Sequence, residues 1–332
     1  MGRVYARSFR QISGVEVYAI NDIDENKMKQ LAEEYNVPVQ YKSWEDLVED
    51  PEIDAVFVGT PNQWHVPVAL EAVRHDKHVL ITKPLANALE PARELVEVTE
   101  AAGVVGMMSL STRFSDVVRY LGQLAHAGEL GEIYYGRARS IRRSGIPDWS
   151  LGFIQAGGGA FRDMGVHVLD AAWWLMGMPK PVTVTGVAGA KFGPRGQGYW
   201  KYHTHPESFY EQYDTDDYGG GFIRFENGAG LQIESFWASH QKEELQIQLF
   251  GTEGGAQLRP LALYRTVNGA PQDITVTMPE DRNVWDTIAD HFIACILDGV
   301  ACQAPLRHGL IVQEMMEGLL ESARTGAEVR LA

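Results

Sequence analysis

Asp163 and His167 stand four residues apart. In a helix that spacing puts both side chains on one face, where they can serve a single cleft. An imidazole titrates at about pH 6.5, which suits proton exchange near neutrality. The carboxylate could orient substrate hydroxyls or raise the basicity of the ring. The plainer reading is a helix-start acid and a histidine satisfied in a core. Lys83 follows a buried strand and precedes Pro84, which favours a cleft over open surface. Its ammonium can hold a developing negative oxygen, or polarise a ketone in the reverse direction. A base, an orienting acid and a cation are what removal of a hydride from an alcohol carbon requires, once an electron sink is supplied.

Around these lie candidates for the substrate side. Arg113, Arg143, Trp149 and Gln155 are of types that suit a sugar pocket, since rings stack and guanidinium groups bind hydroxyls or acids. Each has core or surface placement as its rival. The segment Tyr199-Trp200-Lys201-Tyr202-His203-Thr204-His205 is unusually aromatic and polar, as a pocket lid or a subunit contact would be. His203 and His205, with Glu207, imitate a metal site, because residues two apart in a strand point the same way. No distant partner is evident in the text, so no metal site is expected. Asp170 reads as a structural salt-bridge or cap residue.

The elements that must position these groups come in two styles. The first third alternates helix and strand: helix from Arg3 to Ile12, strand Val15 to Ile20, helix to Tyr35, strand Ile53 to Val58, helix Trp64 to Arg74, strand Val79 to Thr82, helix Glu90 to Ala101, strand Val104 to Met108. Asp22 and Asp24 are candidate caps for the second helix, and Ser43 with Asp46 has capping-box spacing. Such alternation means a doubly wound parallel sheet with its loops along one edge. After Met108 the text changes to helices around Phe114 to Ala127 and Gly165 to Met176, a strand at Ile133 to Arg143, and mostly alternating strands from Val182 to Thr266. Amphipathic helices follow at Asn283 to Leu297 and His308 to Ala323. The expectation is a Rossmann-type α/β domain over 1–108 and an α+β domain over 109–332, built on an open, mainly antiparallel sheet. An open sheet needs a cover, which a homo-oligomer, dimer or tetramer, would supply; helices of the same chain are the alternative.

A dinucleotide fold opens with a strand, a Gly-x-Gly-x-x-Gly turn and a helix. Here Met1-Gly2 leads straight into the helix, so Gly2 is either the third glycine of that turn or an ordinary start-of-chain glycine, and the first strand and first two glycines are missing. That expectation carries a corollary: roughly ten further residues should precede Met1, and without them the domain should fold poorly and bind NAD weakly. Asp22 lies 20 residues after Gly2, where a carboxylate can bind both ribose hydroxyls of NAD. A 2′-phosphate would meet like charge there, so NADP is disfavoured. Thr60, Pro61, Asn62, Trp64 and His65, in the loop ending the Ile53 strand, should approach the pyrophosphate or the nicotinamide ribose; a structural helix cap is the rival.

The bulk properties exclude other classes. The 332 residues carry a net charge of -15, a surface that repels nucleic acid and anionic membrane. No apolar run approaches the ~20 residues of a membrane span. No signal segment opens the chain, and a cytoplasmic protein is expected. Cys295 and Cys302 read as buried reduced thiols.

At this point the chain resembles the glucose–fructose oxidoreductase / inositol dehydrogenase family. Thr60-Pro61-Asn62 with His65 is similar to the family's cofactor loop, and Thr82-Lys83-Pro84 to its Glu-Lys-Pro signature with Thr82 in place of the acid. Gly158-Gly159 followed by Asp163, Gly165, His167 and Asp170 is similar to its second-domain catalytic segment. Gly251-Thr252-Glu253-Gly254 and Glu321-Ser322-Ala323 through Gly326 also match. The resemblance implies NAD(P)-linked oxidation of a secondary hydroxyl in a sugar, glycoside or inositol-like polyol, and oligomers built on the second-domain sheet. It implies that Lys83 contacts substrate and nicotinamide, that His167 is the general acid/base, and that Asp163 binds or orients substrate. It also leaves open an NAD-using glycosidase with no net redox and a non-catalytic dinucleotide or sugar sensor.

Overall fold

The computed structural model describes residues 1–279 and 282–331. These fall into two compact units, Met1–Phe114 with Arg282–Ile311, and Ser115–Asp281 with Val312–Ala332.

In the first unit, elements alternate as α1 (Gly2–Arg10), β1 (Ala19–Asn21), α2 (Glu25–Tyr35), β2 (Val39–Tyr41), α3 (Trp44–Glu49), β3 (Ala55–Val58), α4 (His65–Arg74), β4 (His78–Ile81), α5 (Leu89–Ala102) and β5 (Gly106–Met108). All strand pairs are parallel: β1 with β2, and β3 with β4 with β5. No pairing joins β1 to β3 among the described residues. Helix starts follow their capping chemistry. Asp24 accepts the N–H groups of Asn26 and Lys27, and Ser43 those of Glu45 and Asp46. Buried Val56, Val58, Val79, Leu80 and Ile81 form one core with Val66, Val68, Leu95 and Val96 of the helices.

The second unit begins with α6 (Asp116–His126), β6 (Ile133–Ile141) and α7 (Leu151–Ile154). One turn of π-helix, Phe161–Gly165, then runs into α8 (Val166–Leu175). Next come β7 (Pro181–Gly189), α9 (Glu207–Tyr210), β8 (Tyr218–Phe225), β9 (Gly230–Phe236), β10 (Glu244–Gly251), β11 (Gly255–Gln257), β12 (Ala262–Val267) and β13 (Ala270–Thr275). The chain ends with α10 (Val284–Leu297), α11 (Leu306–Thr325) and β14 (Val329–Arg330). The sheet has nine strands in the order β13-β12-β11-β10-β6-β9-β8-β7-β14, antiparallel except for the β6–β9 pair. Ala138, Ile233 and Ile247 are fully buried on the face covered by α8.

Two expectations differ from this arrangement. The second domain does not take everything after Met108, because α10 and the start of α11 return to the first unit. Phe9 of α1 meets Phe292 of α10 with ring centroids 6.3 Å apart, Ser8 Oγ donates to Asp286 at 2.6 Å, and Met107 of β5 bridges to Pro305. The segment from 190 to 217, expected to continue the strands, is mostly irregular, so His203 and His205 sit on a loop rather than a strand. No helix among the described residues is long and apolar enough to cross a membrane.

Candidate active site

In the first unit the site residues gather at the C-terminal ends of parallel strands, where ligands of doubly wound sheets bind. Asp22 leaves β1 exposed, its Oδ1 accepting the Asp24 N–H at 2.8 Å. Because Asp24 takes the helix cap, the outer side of the Asp22 carboxylate is left to a ligand. Next to it Ile23 is 97% exposed.

The loop after β3 ends in a single 3-10 turn, Asn62–Trp64, which leads into α4. Trp64 is 46% exposed. Thr60 Oγ1 is buried with no hydrogen-bond partner among the described residues. An unmatched buried hydroxyl costs about 1–3 kcal/mol, so this atom is one that an incoming polar group would satisfy. Gly2 opens α1 with nothing within 4 Å of where a Cβ would stand. The fold itself therefore gives no steric reason for glycine there; close approach of a ligand to the helix N-terminus would give one. The exposed acid, the orphaned hydroxyl and the open helix N-terminus together fit a dinucleotide.

His65, expected at the cofactor, is corrected. It is 1% exposed, with Nδ1 2.7 Å from the Pro84 carbonyl and Nε2 2.8 Å from the Thr60 carbonyl. Burial holds its pKa below the ordinary value. The ring ties the loop after β3 to the loop after β4 and so positions Thr60 and Lys83 instead of touching a ligand. Lys83, half-buried, follows β4 at a cis peptide to Pro84. Thr82 Oγ1 lies 3.3 Å from His65 Nε2, so this threonine joins the same tie.

Arg113 is corrected too. It is fully buried, and its guanidinium donates to the Gln303 carbonyl at 2.6 Å and lies 3.0 Å from His308 Nδ1. Burial and the adjacent guanidinium push His308 down to about 4. Arg113 thus binds its own unit together, and its buried head is not presented to a substrate.

In the second unit, Asp163 sits in the π-turn and His167 in the first turn of α8. Both are half-buried, whereas Met164, Gly165, Val166, Val168, Leu169 and Asp170 are buried. The segment is seated by two glycines. Gly159 has φ +104°, and a Cβ there would lie 2.2 Å from Asp216 Oδ1; one at Gly158 would lie 2.1 Å from the Phe153 carbonyl oxygen. Asp216 Oδ2 accepts the Phe161 N–H at 2.9 Å, and burial raises its pKa to about 6. Asp163 Oδ2 accepts the Trp237 indole N–H at 3.0 Å. Trp237 is fully buried, and burying an indole removes roughly 200 Å² from water, on the order of 5 kcal/mol gross, which makes it a firm anchor.

The same unit carries an aromatic shelf. Trp149 stacks on Trp200 with centroids 5.2 Å apart at 14°, and Phe153 and Tyr202 flank it. The Arg142 guanidinium lies 4.4 Å over Trp200; burial lowers its pKa, opposed by Asp163 and Glu243. Trp149 is therefore where a substrate residue could be. Arg143 is instead exposed, and its neighbour Arg142 takes the place at the shelf. Gln155 is half-buried at the end of α7. Sequence reasoning missed Arg142, Trp237 and Asp216, whose roles rest on pairings across tens of residues.

The family model of the GFO_IDH_MocA oxidoreductase family, NAD-binding Rossmann fold, matches residues 1–110. The GFO/IDH/MocA C-terminal domain matches residues 118–257. The chain is 29% identical over 337 residues to D-glucoside 3-dehydrogenase of Escherichia coli (strain K12), covering 99% of this chain and 94% of that protein. It is 26% identical over 255 residues to scyllo-inositol 2-dehydrogenase (NAD(+)) of Bacillus subtilis (strain 168), covering 76% and 69%. The structure of levoglucosan dehydrogenase in complex with NADH and levoglucosan superposes with a TM-score of 0.83 at 20% identity, covering 100% of this chain and 96% of that one, which establishes a common fold. With both halves of its architecture matched in order, the chain belongs to the GFO/IDH/MocA oxidoreductase family, whose first domain is an NAD-binding Rossmann fold.

Proposed function

We propose that this oxidoreductase removes a hydride from a secondary hydroxyl-bearing carbon of a closed sugar ring, with a glycoside or an inositol-like polyol as substrate and NAD as acceptor. The observation that carries the reading is the half-buried pair Asp163 and His167 on a mostly buried turn, with Asp163 linked through the Arg142 guanidinium to the Trp149–Trp200 shelf. Stacked indoles suit the apolar face of a sugar ring, and a carboxylate fixed by Trp237 suits its hydroxyls. NAD, when bound, supplies the hydride acceptor. Asp22 would take the ribose hydroxyls, and Thr60, Asn62 and the N-terminus of α1 at Gly2 the pyrophosphate and nicotinamide ribose.

His167 takes the hydroxyl proton as the carbon gives up its hydride, and returns it in the reverse direction. Lys83 holds the oxygen that gains negative character, and Asp163 keeps the ring oriented. D-glucoside 3-dehydrogenase and scyllo-inositol 2-dehydrogenase bear names of this chemistry, which supports a ring hydroxyl over an open-chain one.

The test is NAD⁺ reduction by the purified protein over alkyl glucosides, free aldoses, inositols and anhydrosugars, with glycoside cleavage followed in parallel. Turnover concentrated on ring hydroxyls of glycosides or inositols supports the reading. Cleavage without net NADH would replace it by a redox-neutral glycosidase, and no turnover with any of them would leave a dinucleotide or sugar sensor.

A further inference from the structure

The loop that carries Trp200 and Tyr202 continues into His203 and His205, and both histidines turn to a residue more than fifty positions away. Asp148, next to Trp149, is 1% exposed. Its Oδ2 accepts the backbone N–H of His203 at 2.8 Å, while its Oδ1 has no hydrogen-bond partner among the described residues. His203 Nδ1 lies 3.7 Å from that Oδ1, and His205 Nε2 lies 3.8 Å from Oδ2. One donor atom from each of the three residues lies within 4.8 Å of the others. His205 is held by a stack on Phe209, centroids 3.9 Å apart at 13°, and its Nε2 is 2.6 Å from the Asp148 carbonyl oxygen.

The imidazole–carboxylate separations of 3.7 and 3.8 Å are too long for hydrogen bonds. They are close to the edge of a metal tetrahedron: bonds of about 2.0–2.2 Å from zinc to nitrogen and oxygen put neighbouring ligand atoms about 3.4 Å apart. A buried carboxylate whose two oxygens face different imidazoles, with Oδ1 lacking any donor among the described residues, lacks a cation more than it lacks a proton donor. We propose that Asp148, His203 and His205 form a binding site for a borderline divalent transition metal, Zn²⁺ by its donor set. Two imidazoles and one carboxylate favour Zn²⁺ over Mg²⁺ or Ca²⁺, which take oxygen ligands. Three protein donors leave a fourth position for water. On binding, His205 Nε2 gives up its proton and its hydrogen bond to the Asp148 carbonyl.

The ion cross-links the turn bearing Trp149 to the loop bearing Trp200 and Tyr202, and so fixes the aromatic shelf. It stands apart from the hydride chemistry, which needs no metal, and its test is independent of the substrate assignment.

The full chain, stripped with a chelator, is titrated with Zn²⁺ by calorimetry and with Co²⁺ by visible absorption, while tryptophan fluorescence is recorded. The expected result is one equivalent bound, ligand-field bands of four-coordinate Co²⁺, and a fluorescence change from the shelf. His203→Ala, at an exposed position that tolerates truncation, should weaken binding by about 100-fold or more, since loss of a ligand exceeds the 10–100-fold typical of losses among groups that only support the ligands. Asp148→Asn should do the same. Cys302→Ser, which disrupts the separate His291, Cys295 and Cys302 group, should leave the equivalent in place. Absence of stoichiometric binding, binding unchanged by His203→Ala and Asp148→Asn, or binding lost only in Cys302→Ser would each overturn the proposal.

Discussion

Asp22 and Asp24 lie two residues apart and divide two tasks. Asp24 is spent on the N-terminus of α2, whereas Asp22 keeps an exposed carboxylate at the end of β1. Asp22→Ala removes one exposed hydrogen bond to Asp24 and should lower thermal stability only slightly, while it weakens NAD binding by about tenfold, the scale of one charge-assisted hydrogen bond, and narrows the preference over NADP. Titration of both cofactors checks this, and an unchanged NAD affinity would remove Asp22 from the site. For the acid/base pair, His167→Ala should lower kcat by about 10²–10⁴-fold with NAD affinity retained. Lys83→Ala should also reduce turnover. Normal turnover by both variants would end the assignment. Gly2 carries less information: nothing lies within 4 Å of where its Cβ would stand, so packing does not require a glycine there.

At the scale of elements, Asp216 clamps the π-turn that presents Asp163. Its carboxyl, ordinarily near 3.8, is raised by burial to about 6. The unfolded chain releases that proton near 3.8, while the native chain keeps it until about 6. Asp216's contribution to stability therefore falls as pH rises through this window and stays low above it. Asp216→Asn is neutral throughout and can still accept the Phe161 N–H. The difference in unfolding free energy between variant and parent should grow from about pH 4 to about pH 6 and then level; a difference that stays constant would refute the assignment. The helix–strand alternation of the first unit was readable because apolar strands and capping residues are local signals: Ser43 and Asp24 cap where spacing placed them. The ends of the strands were overread; Val15 to Ile20 contracts to Ala19–Asn21, since apolarity alone does not provide a pairing partner. The tie made by His65, the anchor of Trp237 on Asp163 and the approach of Asp148 to His203 were illegible for one reason. Each joins residues 19, 74 or 55 positions apart, and no local pattern encodes such a meeting.

At the scale of the whole molecule, the sheet of the second unit has a broad face that, among the described residues, α8 does not cover. On the face of the nine-stranded sheet opposite α8, Tyr135 lies between Phe222 and Phe250, with centroids 5.9 and 5.7 Å away, and the Arg137 guanidinium stands 5.3 Å over Phe250. Arg139 pairs with Glu244 at 3.1 Å, yet its Nε is buried without a hydrogen-bond partner among the described residues. An aromatic and guanidinium-rich centre with a polar surround is the composition of an interface core. The five strands from β10 to β7 span roughly 24 by 26 Å, on the order of 600 Å² in projection and more as accessible surface, which reaches the scale of ~800 Å² per partner in a standard interface. A second copy meeting this face would bury the rings and give the Arg139 Nε an acceptor. The protein is therefore expected to sediment as a dimer or tetramer at micromolar concentration. Substituting Phe222→Asp and Phe250→Asp together, whose rings flank Tyr135, places carboxylates at the centre of the contact and should shift the population to monomer. The secondary structure should not change, because both side chains lie on the uncovered face. If the parent sediments as a monomer, or the double variant keeps its assembly, this face is not the interface and the sheet stands open to water.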